Sequence, residues 1–93
     1  MGFFSEMIAR EDVVFTDLDN GTAVLLNLET KYYFSLNETG CFLWKILDKP
    51  AGASEAELVT ELTREFDVDP ERAKADIADF VKELVSEGLI KKD

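Results

Sequence analysis

Histidine is absent from this 93-residue chain, cysteine occurs once, proline twice, and basic residues number 10 against 20 acidic ones. Each shortage removes a class of function. Without imidazole there is no His-based acid–base catalysis, no Ser-His or Cys-His pair and no histidine metal ligand. Cys41 has no intrachain disulfide partner and no CxxC partner, and its neighbours Phe42 to Trp44 mark it as a buried structural thiol. The net charge of −10 opposes nucleic-acid binding, which relies on Lys and Arg neutralising phosphates. It disfavours anionic membrane surfaces for the same reason. No apolar run approaches the roughly 18 residues of a membrane span. The first residues lack the basic start and long apolar stretch of a signal peptide, so a cytoplasmic location is expected.

What is present suits one small folded domain. The chain is 46% hydrophobic, too apolar for an acidic disordered tail. A chain of this length buries roughly 60–65% of its surface on folding, enough for a single core. Residues 1–11 are set apart as an N-terminal segment whose order the sequence leaves open, and residues 12–92 are assigned to the domain.

The first part of that domain reads as strands. Runs at 13–18 and 22–28 flank Asp19-Asn20-Gly21, and Asn-Gly is a strong hairpin signal. In the second run Ala23, Leu25 and Asn27 share one face and Thr22, Val24, Leu26 and Leu28 the other. A third run, 31–36, alternates Tyr32, Phe34 and Leu36 with Lys31, Tyr33 and Ser35, completing a three-stranded antiparallel meander.

Helices follow. Asn37 is placed to cap a helix reaching about Asp48, apolar on nearly all sides and therefore central. Lys49-Pro50-Ala51-Gly52-Ala53 breaks the chain, and Ser54 with Glu57 forms a capping box for a helix carrying Leu58, Val59, Leu62 and Phe66. Asp69-Pro70 starts a last helix that ends before Gly88. Its core stripe is Ala73, Ile77, Phe80, Val81 and Leu84. The expected fold class is α+β and winged helix-turn-helix-like, a three-stranded antiparallel sheet followed by three helices.

Such a fold invites a DNA-binding regulator as an alternative function. The last two helices, however, carry net charges of −2 over residues 70–87 and −3 over 54–66, so both would be repelled by phosphates. The carboxylate pairs Asp76/Asp79 and Glu83/Glu87 have no basic or aromatic cleft residues beside them and read as a solvated face. Asp17, Asp19 and Asn20 resemble half a calcium loop but lack the closing Glu, and read as turn formers. No catalytic residue, cofactor or metal ligand is assigned.

The third strand offers the positive signal. In a simple meander it lies at an edge, and edges are normally blunted by charge, proline or bulges. Here only Lys31 precedes Tyr32-Tyr33-Phe34. Tyr32, Phe34 and Leu36 are expected to pack the core, leaving Tyr33 on the other face. An unprotected aromatic edge suits a partner that adds a strand. On the last helix, Lys74, Ala78, Val81 and Val85 extend the stripe to one side of Ile77, with Asp76 and Glu83 on the opposite flank. That apolar shoulder is the candidate floor of a groove beside the strand.

The tract LLNLETKYYFSLNETGCFLWKIL, then a capped helix, then FDVDPERAKADIADFVKELVSEGLI, resembles the PqqD-like family of peptide-recognition domains. The likeness spans about residues 12–91, anchored at Leu36-Asn37, Gly40, Trp44, Leu47, Asp76, Leu84 and Gly88-Leu89. It implies a non-catalytic adaptor that binds the leader segment of a ribosomally made precursor peptide along the third strand and against the last helix. It further implies presentation to a modifying enzyme, a radical SAM protein or, in lasso-peptide pathways, a leader peptidase. The positions it designates are Lys31, Tyr32, Tyr33, Phe34 and Ser35 on the strand and Lys74, Ile77, Ala78, Val81 and Val85 on the helix. Members serving pyrroloquinoline quinone (PQQ) synthesis tend to carry a Pro-Glu-Gly-type turn where this chain has Leu28-Glu29-Thr30-Lys31. The Lys49–Ala53 connection is also longer than the usual Asp-Gly turn. The chain thus resembles the broader family serving other peptides, with a PQQ biosynthesis chaperone as an alternative. A monomer or weak homodimer is expected, binding neither nucleic acid nor membrane.

Overall fold

A computed structural model describes residues 6–49 and 51–92. In chain order the elements are β1 (Glu6–Ala9), β2 (Val13–Asp17), β3 (Ala23–Asn27), β4 (Tyr33–Leu36), α1 (Glu38–Leu47), β5 (Ala53–Ser54), α2 (Glu55–Glu65), α3 (Pro70–Ser86) and β6 (Ile90–Lys92). The α+β architecture is the expected one: an antiparallel meander in the order β2-β3-β4, then three helices.

Alternation decides how the meander sits. Ala23, Leu25 and Asn27 of β3 are buried while Val24 and Leu26 are half-exposed, and Leu25 pairs with both Phe15 and Phe34. One face of the sheet thereby joins the core. The first hairpin is not the two-residue Asn-Gly turn the sequence suggests. Its loop runs from Leu18 to Thr22, closed by the Leu18 N–H donating to the Thr22 carbonyl at 3.0 Å. The left-handed positions are Asp19 (φ 65) and Gly21 (φ 88), not Asn20. Asp17 Oδ1 accepts the Asp19 N–H at 2.8 Å and Asn20 Oδ1 the Thr22 N–H at 3.1 Å, so these polar side chains do hold the turn.

The helix starts follow their caps. Asn37 Oδ1 accepts the Gly40 N–H at 2.8 Å, and Ser54 Oγ the Glu57 N–H at 3.1 Å. Asp69 precedes Pro70 as expected but makes no side-chain capping bond. At the end of α3, Gly88 takes φ 70, its N–H donates to the Val85 carbonyl and the Leu89 N–H to that of Leu84. That pair of bonds is a Schellman motif. Central α1 buries Cys41, Leu43, Trp44 and Leu47 against Leu25, Leu36, Leu58, Ile77 and Leu84.

A second antiparallel sheet, β5-β1-β6, is the feature sequence reasoning lacks. Met7 faces Ala53 on one side and Lys92 on the other and is completely buried. The domain boundary placed at residue 12 therefore falls too late: Glu6–Ala9 form a strand of the fold, while residues 1–5 lie outside the described residues. The connection after α1 also has a structural purpose. Gly52 adopts φ 69, and a Cβ there would collide with the Met7 carbonyl, so only glycine lets the chain pass this close to β1.

Candidate functional site

The outer edge of the meander is β4, at the end of the strand order and paired among the described residues only with β3. The Asn27 N–H donates to the Tyr32 carbonyl at 3.0 Å. Antiparallel pairs alternate between hydrogen-bonded and non-bonded. In the observed register, Leu25–Phe34 and Ala23–Leu36 are then bonded, and Leu26–Tyr33 and Val24–Ser35 are not. The N–H and C=O groups of Tyr33 and Ser35 consequently point away from β3, into the open edge. Four main-chain hydrogen-bonding groups stand ready for an added strand.

The turn leading into this edge is pinned by a buried amide. Asn27, 2% exposed, accepts the Glu29 and Thr30 N–H groups on Oδ1 at 2.9 and 3.2 Å. Its Nδ2 donates to the carbonyls of Glu87 and Gly88 at 3.2 and 3.1 Å. One side chain thus ties the β3–β4 turn to the end of α3 and fixes the strand edge relative to that helix. Lys31 takes φ 68 at the end of the same turn.

Between β4 and α3 lies a groove of about 570 Å³, lined by Leu18, Val24, Phe34, Ser35 and Leu36 on the sheet side and by Gly40, Phe80 and Glu83 on the helix side. A second hollow of about 290 Å³ shares Asn37, Gly40, Phe80 and Glu83 with the first and is backed by Leu43, Leu62 and Ile77. Asp76 and Asp79 stand at its rim. The charged residues lining the two hollows are all acidic. Arg72 sits 3.6 Å from Asp76, whereas Asp79 and Glu83 have no ion-pair partner among the described residues.

The sequence-derived positions divide accordingly. Phe34 and Ser35 line the groove, and Tyr33 stands on the outer face of the sheet, 70% exposed. Tyr32, expected in the core, is also 70% exposed, because it precedes β4 in the turn where Asn27, not an aromatic, fills the space below. Lys31 and Lys74 are exposed and line neither hollow. Ile77 is buried behind the second hollow. Ala78, Val81 and Val85 line a separate depression with Glu55 and Lys82, on the α2 side. The shoulder of α3 facing β4 is thus Phe80 and Glu83, opposite to the one expected. The periodicity of a helix locates its buried stripe but not which shoulder the sheet flanks; that depends on how α3 crosses the meander. Gly40 was the legible clue, since a glycine inside a buried helix marks a close approach. A Cβ there would lie 3.2 Å from Leu36 Cδ2 and 3.5 Å from Phe80 Cε1.

An open strand edge facing a helix across an apolar, acid-rimmed groove defines a class: small α+β domains built to take an extended segment at the sheet edge. Within that class the chain belongs to the PqqD family, described as coenzyme PQQ synthesis protein D, whose pattern matches residues 22–90. Two solved structures are similar. One is TbiB1 in complex with the TbiA(beta) leader peptide, with a TM-score of 0.80 and 30% identity over 90% of this chain and 94% of that one. The other is lasso peptide synthetase B1 complexed with its leader peptide, with a TM-score of 0.77 and 30% identity over 92% and 98%. A search of curated proteins finds no match.

Proposed function

We propose that the protein is a non-catalytic cytoplasmic adaptor that binds the leader segment of a ribosomally synthesised precursor peptide and presents it to a modifying enzyme. The observation that carries this reading is the open β4 edge, where Tyr33 and Ser35 turn four main-chain groups away from β3, beside the groove that Phe80 and Glu83 line. Both similar structures hold a leader peptide, which supports the same reading. A disordered leader orders on binding, and strand hydrogen bonds plus buried apolar anchors offset that entropy. Asp79 and Glu83, without an ion-pair partner among the described residues, favour a leader with Lys or Arg near its anchors, chiefly by steering its approach. The enzyme partner belongs to the class that acts on leader-bearing peptides, a radical SAM protein or a leader peptidase. A second reading, a chaperone of quinone synthesis, has the family description in its favour and the Leu28–Lys31 turn against it.

The test is a calorimetric titration with the short precursor peptide encoded beside the gene, in full and with its leader removed. Binding that depends on the leader is expected. Equal binding of leaderless peptide, or binding to duplex DNA instead, would overturn the proposal.

A further inference from the structure

The groove beside β4 and the hollow next to it meet along Asn37, Gly40, Phe80 and Glu83, and Phe80 is the one large apolar side chain among the four. The ring is half-buried and rests over the bare backbone of Gly40, where even a methyl group would lie 3.5 Å from Cε1. Leu43, Leu62 and Ile77 supply the second hollow with an apolar back wall and do not line the groove.

Strand geometry says which part of a ligand meets this partition. A segment hydrogen-bonded to Tyr33 and Ser35 alternates its side chains between the two faces of the sheet, with same-face neighbours roughly 7 Å apart. Those on the inner face fall beside Phe34 and Leu36, which line the groove. Leu36 is the one next to Gly40, since its Cδ2 would lie 3.2 Å from a Cβ at that position. The inward side chain beside Leu36 therefore falls nearest the Phe80 ring.

We infer that Phe80 is the specificity-determining residue for this anchor: standing where the groove meets the second hollow, its ring selects leaders with an aliphatic side chain beside Leu36 and rejects large aromatic ones. The inference rests on the leader-binding reading above and deepens it. The ring presents an apolar face that suits Leu, Ile, Val or Met, and with Leu36 it crowds the end of the groove over Gly40, where a Trp or Phe anchor would have to extend. Truncating it should widen the junction between the groove and the second hollow, giving a larger anchor room toward Leu43, Leu62 and Ile77.

The experiment is selection of a displayed library of random 15-residue peptides on the full protein, on Phe80→Ala and on Phe80→Leu. Synthetic peptides differing only as Leu or Trp at the enriched anchor are then titrated. The wild-type protein is expected to enrich aliphatic anchors. Phe80→Ala should reverse the preference, changing the Trp-to-Leu affinity ratio by about tenfold or more, the scale on which apolar pockets discriminate by size. Phe80→Leu, which keeps an apolar packing group if the alanine variant fails to fold, should move the ratio the same way by less. Peptides that bind all three proteins with the same anchor preference would overturn the inference and leave the function standing. Failure of the wild-type protein to enrich any peptide would overturn the leader-binding reading and this one with it.

Discussion

Replacing Asn27 by Ala removes four hydrogen bonds from a site that is 2% exposed, and its consequences can be worked through. Each such bond contributes a net 0.5–1.5 kcal/mol or so. The Glu29 and Thr30 amides belong to exposed turn residues and recover water as a partner. The Glu87 and Gly88 carbonyls, at a helix end that already lacks internal partners, recover it less easily. Weighting the four in this way gives a loss of about 2–3 kcal/mol. For a domain of this length that lowers the melting temperature by roughly 10–20 °C. Thermal and urea melts of Asn27→Ala would read this directly, with Asn20→Ala as the comparison. Asn20 also receives a turn N–H but is exposed, and its loss should stay within about 0.5 kcal/mol. If the two variants melt within a degree or two of each other, the view of Asn27 as the tie between the β3–β4 turn and α3 is wrong. The folded fraction of Asn27→Ala should also bind leader more weakly, since the edge is no longer held at a fixed distance from Phe80.

Three further outcomes follow from the same geometry. Ser35→Pro deletes an N–H that faces the open edge, so the fold should survive while leader binding falls at least tenfold; Phe34→Pro, whose N–H faces β3, should unfold the sheet instead. Circular dichroism and titration of the two variants separate these effects. Gly52→Ala forces a Cβ onto the Met7 carbonyl at φ 69, and urea denaturation should show a loss of more than about 2 kcal/mol. Glu83→Gln should weaken binding of a Lys- or Arg-bearing leader by about two- to fivefold, the worth of one exposed ion pair, and titrations at low and high salt should converge.

The elements legible in the sequence were those with local causes. Caps at Asn37 and Ser54, the glycine stop at Gly88 and the alternation through Ala23–Asn27 each act within a few residues. The second sheet has no such cause. Its strands are four, two and three residues long, too short for a visible alternation, and each exists because a distant segment pairs with it. The candidate site divides along the same line. The bare edge of β4 followed from strand order and the scarcity of charge around Tyr33. The helix facing it was also identified, but on the wrong shoulder, because the choice between Ala78–Val85 and Phe80–Glu83 depends on a crossing angle that periodicity does not contain. Phe80 was read as core and Glu83 as solvated surface, and each is partly so. Their joint position beside Leu36 gives them a further use. Asn27 showed only as a polar residue on an apolar face, since the two partners that tie it to α3 lie 60 and 61 residues away.

Strand addition at β4 makes one demand that no other mode of peptide binding makes. Amide hydrogen exchange of the protein, followed by NMR with and without its precursor peptide, tests it. The Tyr33 and Ser35 amides should exchange freely alone and slow by at least about tenfold when the peptide is bound. Phe34 and Leu36, already bonded to β3, should be protected in both states. Saturating peptide that leaves Tyr33 and Ser35 exchanging as fast as before would contradict the account at its centre.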